Sequence, residues 1–98
     1  MNETVLAIYQ TLGAKALFML GAKDMAYSNK DNSLMFKIRG SQKYNHITIT
    51  HDGGNDLYNV RFVKFRGIDI KSENTITGIY CDMLHSTIET NTGLYTSL

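Results

Sequence analysis

The sequence predicts a two-layer α+β domain, in which two short N-terminal helices and a C-terminal helix pack on one face of a four- to five-stranded antiparallel sheet. Apolar residues have helical spacing near both ends of the chain and alternate with polar residues through the middle. Turn-rich segments separate the alternating stretches, which is typical of hairpins. Because 98 residues support one modest core, we expect a single domain over residues 1–98.

The N-terminal segment has the spacing of an amphipathic helix. Its apolar residues at i, i+3, i+4 and i+7 are Val5, Ile8, Tyr9 and Leu12. Asn2 can cap this helix, and Gly13 can end it. Residues 14–20 are good helix formers and are followed by Gly21. The segment therefore predicts two short helices that are joined at Gly13.

The middle of the chain has the two-residue period of half-buried strands. Apolar and polar residues alternate in three stretches, which are residues 34–39, 46–50 and 68–71. The segments SNKDNS and HDGGND lie between predicted strands and indicate hairpin turns. The segment AKDMAY, before the first turn, is predicted to form a short pairing strand.

The stretch LYNVRFVKFRG does not keep one strand register. Its apolar residues form two sets of opposite parity, which are Tyr58, Val60 and Phe62 on one face and Val63 and Phe65 on the other. A bulge near Phe62 and Val63 would turn both sets inward, because an extra residue inverts the alternation. The cations Arg61, Lys64 and Arg66 would then all point outward.

Residues 75–91 return to helical spacing. Their apolar stripe consists of Ile76, Ile79, Tyr80, Met83, Leu84 and Ile88. Asn74 or Thr75 can cap the predicted helix, and Gly93 suits the left-handed position that ends one.

The closing segment TGLYTSL has two interpretations. Leu94 is expected to pack back on the last helical turn, and Tyr95 and Leu98 to extend that contact. Alternatively, the last three residues and their carboxylate form a ligand for a peptide-binding domain. We favour a tail that docks on the core.

The distribution of charge is more informative than the net charge of +1. Seven of the ten Lys and Arg residues lie between residues 37 and 71, and the acids lie mainly in turns and helices. Under the strand assignment, most of these cations point away from the helices, among an aromatic residue and hydroxyl groups. A nucleic-acid or partner-binding face is therefore predicted, and its expected contacts are Lys37, Arg39, Tyr44, Arg61, Lys64 and Arg66. The alternative is an ordinary solvated sheet face.

Residue types that support catalysis or metal binding are sparse. Cys81 is the only cysteine, so an internal disulfide is impossible, which fits a reducing compartment. Cys81 and His85 have the i, i+4 spacing of half a zinc site, but the sequence offers no second cysteine. No nucleotide-binding loop or nucleophile elbow occurs. The apolar run LGAKALFMLGA contains a lysine and is too short to span a bilayer. We expect no enzyme activity, metal, cofactor or membrane contact, and a cytoplasmic location.

Four segments carry a resemblance to a known family: GAKDMAYSNKDNSLMFKI, DLYNVRFVKFRGIDIK, GIYCDML and TGLYTSL. Together they cover 48 of the 98 residues, and they resemble small proteins carried by phages and mobile elements of gut-type bacteria. The resemblance implies an accessory role in the cytoplasm of a bacterial host, and it implies no catalytic residues.

The resulting hypothesis is a non-enzymatic accessory binding protein of a phage or mobile element. Its partner is expected to be nucleic acid or a host protein that handles nucleic acid, such as a defence factor. One alternative is a self-associating structural protein that uses Met19, Met35 and the apolar tail. The others are a domain without nucleic-acid contact and a small enzyme.

Overall fold

The computed structural model describes residues 1–97, which form five antiparallel strands with a helix before them and a helix after them. The elements are α1 (Glu3–Met19), β1 (Lys23–Ser28), β2 (Ser33–Lys37), β3 (His46–Asp52), β4 (Leu57–Arg66), β5 (Asp69–Ile79) and α2 (Leu84–Thr92). The strand order is β1-β2-β3-β4-β5, so each strand pairs with its neighbour in sequence. The α+β class and the antiparallel sheet are confirmed.

The N-terminal region is one helical element rather than two. The side chain of Asn2 caps α1, because its Oδ1 atom accepts a hydrogen bond of 2.8 Å from the backbone N–H of Val5. Gly13 has non-helical angles, φ 81 and ψ 153, so α1 has a kink there between two helical segments. The predicted cap is therefore confirmed, whereas two separate N-terminal helices are not.

One apolar core joins both helices to the sheet. Its fully buried members include Val5, Ile8 and Leu12 from α1, Phe36, Ile47, Ile49, Val60 and Phe62 from the strands, and Leu84 and Ile88 from α2. Cross-strand pairs such as Ile47 with Phe62 show how the alternation aligns these residues on one sheet face.

The predicted bulge at Phe62 and Val63 is wrong. Pairing between β3 and β4 continues without a shift from His46 opposite Val63 to Asp52 opposite Leu57. Val63 is only 2% exposed, yet it lies outside the helix-side core. It is buried on the opposite face, which we call the outer face, so its burial does not require a bulge. Arg61 and Lys64 consequently lie on opposite faces of the sheet.

The predicted helix over residues 75–91 is correct only for its second half. Residues 69–79 form β5, and α2 begins at Leu84 after a 3₁₀ turn, Cys81–Met83. Val60 and Tyr58 on β4 pair with Ile76 and Ile79 on β5, so three steps on β5 match two steps on β4. This shift points Ile76 and Ile79 to the core although their spacing is helical. The capping roles predicted for Asn74 and Thr75 are therefore wrong.

The tail folds back on the core through Leu94, as expected, and on α2 through Thr96, which was not predicted. Gly93 ends the helix with φ 75, as predicted, and Leu94 packs against the core. Thr96 is buried, and its backbone N–H and hydroxyl donate to the Glu89 carboxylate over 2.8 and 2.9 Å. Tyr95 is 72% exposed, so its predicted core contact is wrong. The contact predicted for Leu98 lies outside the described residues.

Candidate functional site at the basic end of the sheet

The meander collects alternate chain connections at one end of the sheet. Because neighbouring strands are antiparallel, the starts of β1, β3 and β5 lie beside the ends of β2 and β4. The end of α1 is also there, since the backbone N–H of Arg39 donates to the carbonyl of Leu20 over 2.9 Å. Seven cations lie on or beside these strand ends, and they define what we call the basic end: Lys23, Lys37, Arg39, Lys43, Lys64, Arg66 and Lys71.

The two ends of the molecule carry opposite charge. The basic end contains three acids, Asp24, Asp69 and Glu73, so seven cations give it a net charge of +4. The other end, which we call the acidic end, has a net charge of −4. It contains Glu3, Asp31, Asp52, Asp56 and Asp82 with Lys30 as its cation. A nearly neutral chain is therefore strongly polarised along its strands.

An open groove of ≈ 620 Å³ lies at the α1 side of the basic end. It is lined by Phe18, Met19, Gly21, Ala22, Lys23, Arg39 and Gly40. Phe18 is 84% exposed, which places an accessible aromatic ring in the same groove as Lys23 and Arg39. No carboxylate of residues 1–97 forms an ion pair with Lys23 or Arg39. Gly21 has φ +66, and a Cβ atom there would lie 2.9 Å from the Cβ of Arg39, so the close approach requires glycine.

The β4–β5 hairpin forms the other side of the basic end. Arg66 pairs with Asp69 across a two-residue turn whose first member, Gly67, has φ 65. Glycine with positive φ at this position is typical of a type II′ hairpin turn. The second turn residue, Ile68, is 97% exposed at the tip. Lys43 lies in the loop between β2 and β3. The hydroxyl of Ser72 on β5 donates to the carbonyl of Lys43 over 3.4 Å, so the β2–β3 loop lies against the hairpin.

A side-chain clamp fixes the end of β4. The amide of Asn45 donates to the carbonyl of Phe65 and accepts from its backbone N–H, both over 2.9 Å. The clamp lies where the β4–β5 register shifts between Lys64 and Phe65. It therefore holds the backbone just before Arg66 in place of regular strand pairing.

His46 lies against the same clamp on the outer face. Its ring contacts the edge of Phe65 at a centroid distance of 4.6 Å. Desolvation by burial, and then the charge of Lys37, lower the pKa of His46 below its ordinary value of 6.5, against an opposing effect of Asp24. His46 is consequently neutral at pH 7 and adds no charge to the basic end.

The six residues predicted as contacts do not share one face. Lys37 and Arg61 lie on the outer face and are compensated, by Asp24 at 3.1 Å and by Glu73 respectively. Arg39 lies in the groove, and Arg66 lies beside the hairpin turn. Lys64 and Tyr44 are on the helix side. Lys64 is two residues after Phe62 on β4, so both side chains lie on the same face. The ring of Tyr44 contacts the ring of Phe62 at a centroid distance of 5.4 Å. Five of the six predicted contacts, all except Arg61, therefore lie at the basic end of the sheet, although they do not share one face.

Phe18 and Lys23 were missed because the sequence prediction grouped residues by strand face. The sequence holds only part of the signal that groups these charges. The β2–β3 and β4–β5 connections are basic, and the β3–β4 turn and the segment after β5 are acidic. The α1–β1 and β1–β2 connections are neutral, because Lys23 is followed by Asp24 and Lys30 by Asp31. A meander places the two basic connections at one end of the sheet, and the position of Phe18 and Lys23 beside them follows only from the fold.

Comparison with known proteins gives no family for this chain: no protein-family model, no curated protein and no solved structure matches it. Within residues 1–97, no group of His, Cys, Asp and Glu side chains is arranged to hold a metal ion. Neither helix in that range has the length and apolar character needed to cross a bilayer.

Proposed function

We propose that this protein is a non-enzymatic binding module that contacts nucleic acid through its basic end. The observation that carries the proposal is the exposed Phe18 ring in one groove with Lys23 and Arg39, neither of which is paired with an acid of residues 1–97. Lysine and arginine neutralise phosphates, and an exposed aromatic ring stacks on an unpaired base. A single strand, whose bases are accessible, suits this combination better than a duplex.

The remaining cations extend the contact. The hairpin cations Lys64, Arg66 and Lys71 and the loop cation Lys43 line the same end beyond the groove. The proposal takes the helices to cover one sheet face, so that the strand ends are reached from beyond both layers. A strand that follows the basic end would meet about seven cations in sequence order around three connections.

An accessory role in a phage or mobile element, within a bacterial cytoplasm, is part of the proposal and is supported by the resemblance of four segments alone. A host protein that handles nucleic acid is the second form of the partner. Its acidic surface would meet the same cations, but it would not require the Phe18 ring to stack.

The test is binding to labelled single-stranded DNA, duplex DNA and RNA of equal length, at low salt and then at rising salt. We expect the single strands to bind best, with an affinity that falls steeply with salt. The double variant Lys23→Glu/Arg39→Glu should lose binding, and Phe18→Ala should weaken binding to single strands about 5- to 100-fold. The control Tyr80→Ala removes an exposed ring just after β5, at the acidic end, and should bind normally. If no nucleic acid binds at low salt, the proposal is wrong.

A further inference from the structure

The long edge strand β5 is open along its outer side. It has 11 residues, pairs with β4 only, and is mostly exposed. Among residues 1–97, no backbone hydrogen bond joins it to a further segment. The opposite edge strand, β1, has 6 residues and a register shift at Asp24, whose φ is 52. β5 also carries register shifts, near Lys71 and near Gly78, but residues 72–76 between them pair regularly with β4, whereas only residues 26–28 of β1 pair regularly with β2. The longer regular edge of β5 is therefore the better template for another strand.

We propose that two copies of this chain pair antiparallel through β5 about a two-fold axis, which joins their sheets into one of ten strands. The charges on β5 favour a second copy as the occupant. Asp69, Lys71 and Glu73 alternate in sign at two-residue intervals. Such a strand repels most other charged edges but is complementary to itself in selected registers.

The charge pattern also selects the register. Two-fold pairing centred on Lys71 or Glu73 would oppose like charges, which is unfavourable. Centring on Ser72 places Lys71 of each copy opposite Glu73 of the other, which pairs opposite charges. Lys71 has no partner on β4, because its neighbours Ile70 and Ser72 pair with Phe65 and Lys64, which are consecutive.

The length of the overlap supports the same register. Centring on Ser72 pairs residues 69–75 of the two copies, all of which lie in β5. Centring on Ile70 would also oppose Lys71 to an acid, Asp69 of the second copy. That alternative confines the overlap within β5 to residues 69–71.

The experiment measures mass in solution by analytical ultracentrifugation without nucleic acid, over micromolar to near-millimolar concentrations. Wild type should show a monomer–dimer equilibrium. Lys71→Glu places an acid opposite Glu73 of the other copy at both symmetric contacts. The dissociation constant of the dimer should therefore rise roughly tenfold or more. Adding Glu73→Lys to Lys71→Glu restores opposite charges and should restore the dimer. Tyr27→Asp, at an exposed ring on the opposite edge strand β1, should leave the dimer unchanged.

Two results would overturn the proposal. One is a strict monomer at every concentration. The other is rescue of Lys71→Glu by Asp69→Lys in place of Glu73→Lys, which would assign a different register. Thermal melts must show that each variant folds, because Glu73 also pairs with Arg61. The dimer does not depend on the proposed nucleic-acid contact, and Lys23→Glu/Arg39→Glu, which tests that contact, should dimerise normally.

Discussion

At the scale of single residues, Asn45 replaces regular strand pairing with a side chain. Its amide makes two hydrogen bonds to the backbone of Phe65, and its own N–H donates to the carbonyl of Val63 over 2.9 Å. Removing the side chain leaves two backbone groups of a part-buried strand end without partners, and unsatisfied groups of this kind are costly. Asn45 therefore connects the stability of the sheet to the position of the basic end.

We predict that Asn45→Ala lowers the free energy of unfolding by about 1–3 kcal/mol, measured by urea denaturation. The matched control is Asn55→Ala, because Asn55 is an exposed turn residue whose side chain bonds only Asp52. The control should change the free energy by less than about 0.5 kcal/mol. Equal, small effects in both variants would show that the clamp adds no stability.

At the scale of elements, the sequence predicts well wherever periodicity and packing agree. Three local predictions appear in the structure, because each follows from local rules. Leu34 and Phe36 are buried on the same face of β2, Asn2 caps α1, and Gly93 ends α2. The failures have one physical cause, which is that burial and periodicity do not identify the face a residue occupies. Ile76 and Ile79 imitate a helix because of a register shift, and Val63 imitates a core residue because it is buried on the outer face.

The C-terminal tail is an element without regular secondary structure. Hydrogen bonds from the backbone and then from the hydroxyl of Thr96 lower the pKa of Glu89 below its ordinary value of 4.5. A carboxyl whose pKa is lower in the folded state contributes stability above its unfolded pKa and loses it as pH falls through its folded pKa. The tail contact is therefore present near neutral pH and is lost in acid.

We predict that deleting residues 94–98 lowers the melting temperature at pH 7. Losing the partly buried Leu94 side chain costs about 1 kcal/mol, which corresponds to roughly 4–8 °C for a domain of this size. Glu89→Gln, which imitates the protonated carboxyl, should lower the melting temperature in the same direction and by less. The deletion and Glu89→Gln should both matter less at pH 3 than at pH 7. An unchanged melting temperature on deletion would favour the alternative in which the tail is a free ligand.

At the scale of the whole molecule, the arrangement of charge decides what the chain can bind. Four of the seven cations of the basic end, Lys37, Arg39, Lys64 and Arg66, are among the contacts predicted from the sequence. The sequence does not locate them, because the end-to-end grouping requires the strand order as well as the strand assignment. Once the meander is known, the basic β2–β3 and β4–β5 connections fall at one end and the acidic β3–β4 turn and the segment after β5 at the other.

The last prediction separates the position of a charge from the total charge. Lys64→Glu at the basic end and Lys30→Glu at the acidic end both change the net charge from +1 to −1. If net charge governs binding, they weaken it equally. If the basic end is the contact surface, Lys64→Glu should lower the affinity for single-stranded nucleic acid strongly and Lys30→Glu only slightly. A lysine that contacts a phosphate also contributes about 0.7 to the slope of log K against log salt, so the slope should become shallower in Lys64→Glu alone. Equal affinities and slopes in the two variants would assign binding to the net charge and contradict the proposed surface.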